Sequence, residues 1–451
     1  MMDARTLLPH LITAALDAVE PRRAVHRVLH RDGKHLTVGA QTYTIEAPTR
    51  LFVVGMGKAA ARMALAVHET AGDLITDGLV ITKYGHATAP AIGRIRVREA
   101  AHPVPDEAGV AATNAMLSLL ADTRPDDLVL VLVSGGGSAL LVAPAPGLHL
   151  ADLQQTTDLL LASGATIHEL NTVRKHLSAV KGGQLARHAA PAHVETLIIS
   201  DVVGDDLDVI ASGPTVPDPT TFADAKAVLE RYDLWERVPP AVRHHLNAGC
   251  AGHLPETPKP GDPLFERVRN HLIARNADAA QAAAEEAGRA GWHAEVLTTF
   301  LQGEAREVGR VVAALGQQIA RYDTPLPTPA CLILGGETTV TVRGNGIGGR
   351  NQELALAAAL AIEGWERLLI ATFATDGGDG PTEAAGGVVD GATAQAIRTA
   401  GIDPRRALDN NDSYHALHTA HALIVTGPTG TNVTDLVFVL VDRSPTQKHP
   451  R

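Results

Sequence analysis

Short runs of consecutive apolar residues alternate along the chain with stretches in which apolar residues recur every three or four positions. The runs have the length of buried β-strands, and the periodic stretches have the spacing of amphipathic helices. Such alternation is typical of βαβ units and predicts an α/β fold with a parallel sheet. In the first half, strands are predicted at 51–56, 78–82, 95–99, 128–133 and 197–200. Helices are predicted at 59–68, 107–120, 150–162 and 167–188, with Asp106 as the N-cap of the second.

The alternation resumes in the second half after a change in composition. Residues 246–263 are rich in proline and glycine, which predicts a linker or an excursion. Two adjacent strands, 332–335 and 338–343, are predicted to form a hairpin around Gly336 and Glu337, so this sheet is expected to be mixed. Other strands are predicted at 267–274, 293–298, 369–374 and 436–441, with helices at 277–290 and 304–321.

These elements predict two domains in 451 residues, a length that suits two or three. Residues 1–245 are expected to form a doubly wound, Rossmann-like N-terminal domain. Residues 246–263 are the predicted Pro-rich linker, and residues 264–451 a second, smaller α/β domain with a mixed sheet.

Composition narrows the class of protein. The apolar share of 45% and the charged share of 20% are those of a globular protein, and the net charge of −11 argues against a nucleic-acid partner. No apolar run approaches the ~18 residues of a membrane helix, and the N-terminus reads as an amphipathic helix rather than a secretory signal. Two cysteines, Cys250 and Cys331, make no disulfide framework, which favours a cytoplasmic location. The short apolar runs predict that the protein has no membrane partner.

The most informative pattern lies at the carboxyl ends of the apolar runs. Five of them end in a glycine cluster or an acidic residue: those at 51–56, 128–133, 196–199, 331–334 and 369–374. Ligands bind at the carboxyl ends of parallel strands in open α/β sheets. Glycines there let backbone N–H groups approach a phosphate, and carboxylates there can hold Mg²⁺. The pattern therefore predicts a protein that handles a phosphorylated small molecule.

The first of these glycine turns contains Gly55, Gly57 and Lys58 before a predicted helix. Its spacing formally matches a variant of the dinucleotide fingerprint, which is a weak signal alone. The next strand ends in Lys83 instead of the acid that NAD requires, whereas NADP stays open. A cation such as Lys58 in a first helical turn opposes the helix dipole, which favours contact with an anionic ligand over simple solvation.

The second glycine turn, Ser134-Gly135-Gly136-Gly137-Ser138, lies between a wholly apolar strand and a predicted helix. Successive N–H groups of such a turn can bind an anion at a helix N-terminus. The alternative is a tight turn that packing alone requires, and we favour the anion site.

A basic stretch, residues 171–183, is predicted to lie on a helix. Arg174, Ser178 and Lys181 then share roughly one face. For Arg174, a solvated basic face and contact with substrate are equally well supported.

Acidic and basic residues lie after the remaining strands. Asp201 and Asp376 each come directly after a strand, so each is a candidate metal ligand or catalytic base. Arg350 and Asn351 begin an apolar helix after a glycine-rich stretch, and Arg is suited to bidentate contact with phosphate or carboxylate. Asn432 precedes the last strand and can be explained as a turn residue alone.

Taken together, these stretches resemble the class II glycerate kinases, the glycerate 2-kinase family, nearly from end to end. The resemblance is carried by V-S-G-G-G-S at 133–138, N-T-V-R-K-H-L-S-A-V-K-G-G at 171–183, S-D-V-V-G-D at 200–205, G-G-E-T at 335–338, G-G-R-N-Q-E at 348–353 and A-T-D-G-G-D-G at 374–380.

The resemblance implies ATP- and Mg²⁺-dependent phosphorylation of D-glycerate to 2-phosphoglycerate. It also implies a Rossmann-like N-terminal domain, a smaller C-terminal domain and an active site in the cleft between them. The residues that match the family's cleft are Lys58, Asp201, Glu337, Arg350, Asp376 and Asn432.

From these observations we expect in-line phosphoryl transfer with ATP as cosubstrate and Mg²⁺, or another divalent cation, as cofactor. The predicted catalytic residues are Lys58, Asp201 and Arg350. The predicted substrate- and nucleotide-binding residues are Gly57, Ser134, Gly135, Gly136, Gly137, Ser138, Lys181, Glu337, Asn351 and Asn432. The predicted metal ligands are Asp376, Glu337 and Asp201.

Two other functions stay open at this point: a hydroxypyruvate reductase that uses NAD(P)H, and a non-catalytic binder of nucleotides or sugar acids. The expected partners are small molecules, ATP and D-glycerate. The residues leave the oligomeric state open, a homo-oligomer included.

Overall fold

The computed structural model describes residues 2–87 and 89–443. Its helices are α1 (Ala4–Ala18), α2 (Pro21–His26), α3 (Ala60–Ala71), α4 (Glu107–Leu120), α5 (Gly137–Leu140), α6 (Leu150–Ala162), α7 (Ile167–His176), α8 (Gln184–Ala189), α9 (Phe222–Arg231), α10 (Pro240–Cys250), α11 (Asn276–Arg289), α12 (Ala305–Tyr322), α13 (Arg350–Ala361), α14 (Thr393–Thr399), α15 (Pro404–Asp409) and α16 (Ser413–Thr419).

Its strands are β1 (Leu29–Asp32), β2 (His35–Val38), β3 (Gln41–Thr44), β4 (Leu51–Met56), β5 (Ile75–Lys83), β6 (Ala91–Ile92), β7 (Ile95–Ala100), β8 (Leu128–Val133), β9 (His193–Ile199), β10 (Val268–Ala274), β11 (His293–Leu301), β12 (Ala330–Gly336), β13 (Leu368–Ala374), β14 (Gly386–Asp390), β15 (Leu423–Ile424) and β16 (Asp435–Val441). In the described part of the chain, every helix is too short or too polar to span a lipid bilayer.

The chain forms two compact units. The larger unit is Pro21–Ile273, and the smaller unit combines the residues up to Glu20 with those from Ala274 onward. These limits differ from the domain limits predicted at 245 and 264. The difference arises because helix α1 packs on α11, far along the chain, and because residues 246–263 lie inside the larger unit.

The larger unit is built on a seven-stranded sheet with the order β10-β9-β8-β4-β5-β7-β6. Strands β9, β8, β4, β5 and β7 are mutually parallel, and β6 is antiparallel to β7. Taken in chain order, the parallel strands have the 3-2-1-4-5 arrangement of a Rossmann-like sheet. The chain reverses its direction of winding between β4 and β8, and in such sheets this is where ligands bind.

Local sequence explains why these strands are central. Every residue of β4 and of β8 is buried, as expected for a strand covered on both faces. Helix α4 begins where Asp106 accepts a hydrogen bond from the N–H of Gly109 at 3.0 Å, so the predicted N-cap is confirmed.

The helix predicted over 167–188 is wrong in its second half. Helix α7 ends at His176, and residues 177–183 turn before α8 begins at Gln184. The Ser178 hydroxyl accepts hydrogen bonds from the N–H groups of Val180 and Lys181, and Gly183 has a positive φ of 80°. Such side-chain bonds to the local backbone compete with helix formation, so Ser178 and Lys181 do not share a helical face with Arg174.

Part of the predicted linker is helical. Helix α10 begins at Pro240, a position where proline is well tolerated because its missing N–H is unpaired anyway, and it continues to Cys250. The next segment is held within the larger unit, since the Thr257 hydroxyl donates to the buried Asp218 carboxylate at 2.9 Å.

The smaller unit contains a six-stranded sheet with the order β11-β12-β16-β13-β14-β15. Strands β11 and β12 are parallel, whereas β16 lies antiparallel between β12 and β13. The predicted mixed sheet is therefore confirmed. Helix α1 buries Leu7, Leu8 and Leu11, as its amphipathic pattern predicts.

The prediction of a hairpin between strands 332–335 and 338–343 is wrong. Residues 338–343, all of them described, form no strand, and β12 pairs with β11 and β16 instead. The chain leaves the sheet at Gly336, whose φ is +150°, and the N–H of Glu337 donates to the Leu301 carbonyl at 2.8 Å. The sheet is mixed because β11 and β12 are parallel, whereas β16, β14 and β15 form antiparallel pairs.

Candidate functional site

Three predicted site segments meet at one edge of the larger unit. Strands β4, β8 and β9 are adjacent and parallel, with Met56 opposite Val133 and Val133 opposite Ile198. The residues just beyond these strands therefore lie side by side: Lys58 after β4, the Ser134–Ser138 loop after β8, and Asp201 after β9. This edge is the ligand edge of a doubly wound sheet.

The backbone at this edge is packed so closely that it requires glycine. A Cβ at Gly57, whose φ is +125°, would collide with the Ser134 side chain and carbonyl. A Cβ at Gly135 would collide with the carboxylate of Asp201. The N–H of Lys58 donates to the Gly135 carbonyl at 2.9 Å. Lys58 and Asp201 therefore both lie next to Gly135.

The same contacts argue against a dinucleotide site at the first glycine turn. In that kind of site, the N–H groups at the start of the helix bind the pyrophosphate. Here the N–H of Gly57 donates to the Ile81 carbonyl at 3.1 Å, and the N–H of Ala59 donates to the Ser134 hydroxyl at 3.0 Å. With the Lys58 N–H bonded as well, the three N–H groups are all used by the protein.

The second glycine turn, Ser134–Ser138, has backbone N–H groups that can bind a ligand. Within residues 2–87 and 89–443, the N–H groups of Gly135 and Gly136 have no hydrogen-bond acceptor. Gly136 adopts a left-handed conformation with φ of +82°, which is typical of the backbone concavities that bind anions. The next helix, α5, is a single turn and has only a small dipole, so an anion here would be bound mainly by the N–H groups of the loop.

The surroundings of this edge are positively charged. Burial, together with the charges of Lys58 and Lys83, lowers the pKa of His102 to about 4. The His102 ring lies against Gly136, where an added Cβ would come within 2.9 Å of it. Burial lowers the pKa of His86 as well, and the charges of Lys83 and Lys58 lower it further. An anionic ligand would relieve this repulsion.

Lys181, predicted to contact substrate, is almost fully buried. Its ammonium donates to the carbonyls of Ser138 at 2.6 Å and Leu141 at 3.0 Å, so it holds the turn after β8. Burial and the charge of Arg174 lower the pKa of Lys181 to about 7. Its observed contacts are those of a residue that positions the loop.

A second set of polar residues meets at one edge of the smaller unit. Asp435, the first residue of β16, lies opposite Gly336 of β12 and Ala374 of β13. Glu337 and Asp376, which come soon after these two strands, therefore flank Asp435. Asn432 lies just before β16, where its side-chain oxygen accepts from the N–H of Thr434 at 3.2 Å in a local turn.

Arg350 joins these carboxylates. It binds Asp435 through two guanidinium nitrogens, Nε and Nη2, and it forms an ion pair with Glu337 at 3.0 Å. Burial alone would lower the pKa of Arg350, but the hydrogen bonds and charge of Asp435, together with the charge of Glu337, raise it above its usual value. Burial raises the pKa of Asp435, against the opposing effect of Arg350.

Helix α13 is anchored from the same region by Asp379. Its buried carboxylate accepts from the N–H groups of Asn351 at 3.1 Å and Gln352 at 2.8 Å. Burial raises the pKa of Asp379 to about 6, partly offset by these N–H groups. The cap fixes where Arg350 enters the cluster.

The carboxylates fit a divalent cation that arrives with phosphate. Among the described residues, no group of three or more His, Cys, Asp or Glu side chains could hold a metal ion alone. Mg²⁺ is commonly bound by one or two carboxylates together with substrate phosphates and water. Glu337 and Asp376 can supply such oxygens at one edge of the smaller unit.

Comparison with known proteins shows the family. Residues 7–247 match the family described as a domain of unknown function (DUF4147), and residues 330–435 match the MOFRL family. The chain is 46% identical to the glycerate 2-kinase of Pyrococcus horikoshii over 441 residues, and this alignment covers 98% of each chain. It is also 46% identical to the D-glycerate 2-kinase of Thermotoga maritima, over 97% of this chain and 98% of that one.

The chain belongs to the class II glycerate kinase family. The crystal structure of glycerate kinase from Thermotoga maritima has a TM-score of 0.85 with this structure at 45% identity, and it covers 96% of this chain and 98% of that one. The family resemblance and the fold class inferred from the sequence are thereby confirmed.

The structure gathers the predicted site residues into two sets. The larger unit brings together Lys58, Gly57, Ser134 to Ser138, Lys181 and Asp201. The smaller unit brings together Glu337, Arg350, Asn351, Asp376 and Asn432. Their assignments as catalytic, substrate-binding or metal-binding residues stay predictions.

Sequence reasoning missed two carboxylates of the smaller unit, Asp379 and Asp435. Asp379 lies in the same glycine motif as Asp376, so a complete reading of that motif could have included it. Asp435 precedes an apolar run instead of coming after one. It reaches the site because β16 runs antiparallel to its neighbours, and this direction is decided by long-range pairing.

Proposed function

We propose that this protein transfers the γ-phosphoryl group of ATP to D-glycerate and forms 2-phosphoglycerate. The observation that carries the proposal is the near full-length similarity to proteins named glycerate 2-kinase. The position of Lys58 and Asp201, both next to Gly135, supports it, because phosphoryl transfer needs a cation at the phosphate and a group that orients the attacking hydroxyl.

In this mechanism the larger unit supplies the groups nearest the chemistry. The Lys58 ammonium stabilises negative charge on the transferring phosphate. The N–H groups of Gly135 and Gly136 bind phosphate oxygens. The Asp201 carboxylate accepts a hydrogen bond from the attacking hydroxyl of glycerate. It takes the proton of this hydroxyl as the new phosphate ester forms and the bond between the γ-phosphorus and the β-phosphate oxygen breaks, with ADP as the leaving group.

The smaller unit supplies a cation and carboxylates. Arg350, held by Asp435 and Glu337, presents its guanidinium to phosphate oxygens. Asp376 and Glu337 are the residues of this unit that would hold Mg²⁺, and Asp201 is the third predicted ligand. A bound Mg²⁺ neutralises charge on the phosphate oxygens of ATP. The prediction that the active site lies in a cleft between two domains stays a prediction.

The test is ³¹P NMR of the purified protein with ATP, Mg²⁺ and D-glycerate, beside the Lys58→Ala variant. We expect a new phosphomonoester resonance at the position of 2-phosphoglycerate. In the variant, kcat should fall on the order of 10²–10³-fold, the usual loss when one transition-state donor is removed. Chelation of Mg²⁺ by EDTA should abolish the signal in the wild type.

Other outcomes would change the proposal in distinct ways. A resonance of 3-phosphoglycerate would keep the kinase and reject the position of transfer. Oxidation of NAD(P)H by hydroxypyruvate with no use of ATP would reject the kinase. The hydrogen bonds already made by the N–H groups of Gly57, Lys58 and Ala59 are the structural reason to expect no such oxidation.

A further inference from the structure

A small pocket in the larger unit adjoins the Ser134–Ser138 loop. Apolar residues form most of its wall, among them Leu153 and Leu160 of α6 and Val173 of α7. Arg174 and Lys181 are the only charged residues among its described lining. Its volume is about 40 Å³. One water requires roughly 10–15 Å³ of such volume, so the pocket has the size of one carboxylate or similar oxyanion group.

The charge of Arg174 is not compensated by the protein. Within residues 2–87 and 89–443, its guanidinium makes no hydrogen bond or ion pair, and burial is the one influence that lowers its pKa. A partly buried charge without a partner is costly, because the lost hydration is not replaced. By contrast, the buried Lys175, the next residue, donates to Asp208 at 3.0 Å.

Lys181 adds to the positive charge of the pocket. Its contacts with the carbonyls of Ser138 and Leu141 use two of the three donors of an ammonium group. No acidic residue of the described chain lines the pocket, and the pKa of Lys181 is lowered first by burial and then by the charge of Arg174. A bound anion would compensate both groups.

The pocket is connected to the loop by hydrogen bonds. The Ser138 and Ser212 hydroxyls are 2.8 Å apart, and the Ser212 hydroxyl donates to the Asn171 side chain at 2.9 Å. Asn171 lies on α7, one turn before Arg174. A group bound at Arg174 would therefore lie next to the loop to which we assign phosphate binding.

We propose that Arg174, assisted by Lys181, binds the carboxylate of the acceptor acid in this pocket. The proposal rests on the proposed function and names the residue that selects an acid over an uncharged alcohol. Arg350 is paired with Asp435 and Glu337, and the proposed mechanism already assigns it to phosphate oxygens, so Arg174 is the better candidate for the carboxylate. The bound acid would direct its hydroxyl groups toward the Ser134–Ser138 loop.

The experiment compares Arg174→Gln, Arg174→Lys and the wild type, with the exposed Arg237→Gln as a control for loss of one positive charge. Initial rates are measured with D-glycerate and with glyceramide, its uncharged amide. Calorimetric titrations measure binding of D-glycerate and of ATP separately. Circular dichroism confirms that each variant is folded.

For Arg174→Gln we expect KM for D-glycerate to rise on the order of 10²-fold, the effect of losing one charge-assisted pair. The preference for glycerate over glyceramide should fall by a similar factor, and KM for ATP should stay within threefold. Arg174→Lys should recover part of the preference, and Arg237→Gln should match the wild type.

An unchanged KM for glycerate in Arg174→Gln would overturn the proposal, and so would a rise in KM for ATP alone, which would indicate a nucleotide phosphate in the pocket. These failures leave the kinase intact if the wild type forms phosphoglycerate. If instead the wild type transfers no phosphate but binds D-glycerate, and Arg174→Gln does not bind it, the proposed function fails and the carboxylate pocket stands.

Discussion

At the residue scale, the site of the larger unit depends on glycines that leave room for reactive groups. Gly135 is the clearest case, because its α-carbon faces the Asp201 carboxylate and its carbonyl accepts the Lys58 N–H. The glycine is required by this close approach and not by a left-handed φ. A side chain at this position would therefore act on function through Asp201.

Gly135→Ala should lower kcat roughly 10²-fold, because a displacement of about 1 Å in a catalytic group can have that effect. Its melting temperature should stay close to that of the wild type. Gly288→Ala is the matched control, since a Cβ there meets nothing within 4 Å. The rates are measured at saturating ATP and glycerate, and a rate within twofold of the wild type would contradict the role of Asp201.

At the element scale, helix α13 begins with Arg350, whose charge opposes the helix dipole, and the buried carboxylate of Asp379 caps its first turn. Arg350 is tolerated there because Asp435 and Glu337 pair with it. Asp379 satisfies two N–H groups that no residue of the helix itself can bond. The element is therefore held in place by side chains that lie just after or just before other strands.

The raised pKa of Asp379, about 6, predicts a pH dependence of stability. Between about pH 4 and 6 the unfolded carboxyl ionises while the native one stays protonated, so the native state loses stability as pH rises. Relative to Asp379→Asn, the wild type should lose free energy of unfolding across this window and change little above pH 6. Urea unfolding of both proteins from pH 4 to 7.5 measures the difference in their free energies of unfolding. Parallel curves of this free energy against pH would contradict the prediction.

At the scale of the whole molecule, the first residues of the chain complete a unit formed by its second half. Helix α1 packs on α11, and the N–H of Ala4 donates to the Asp442 carboxylate at 3.1 Å. The Thr431 hydroxyl donates to the Val19 carbonyl at 2.8 Å. The smaller unit therefore requires both α1 and the segment around β16.

Leu7→Ala and Leu11→Ala should each lower the free energy of unfolding of the smaller unit by about 3 kcal/mol, the usual cost of a cavity at a fully buried leucine. Leu161→Ala, at an exposed position, should change stability little. Limited proteolysis with mass spectrometry should find the first new cleavages of the two core variants within residues 274–443. First cleavage within residues 21–273 would contradict the assignment of α1.

Sequence predicted most elements because their signals are local. Strands β4 and β8 were predicted from uninterrupted apolar runs, and α4 from its cap at Asp106. The same logic located Lys58, Asp201, Glu337 and Asp376 at strand ends. The signals failed where a local pattern competed with a distant partner, as at 338–343, or with a side-chain bond to the backbone, as at Ser178.

By itself, the sequence determined the α/β class, the family and the strand-end residues, because apolar periodicity, caps and glycine motifs are properties of neighbouring residues. The tertiary structure decided which of these residues meet. Pairing of β16 between β12 and β13 brings Asp435 to Arg350, and the turn after α7 buries Lys181 beside Arg174. Such contacts join residues far apart in the chain, and hydrogen-bond pairing and burial select them only when the whole chain has folded.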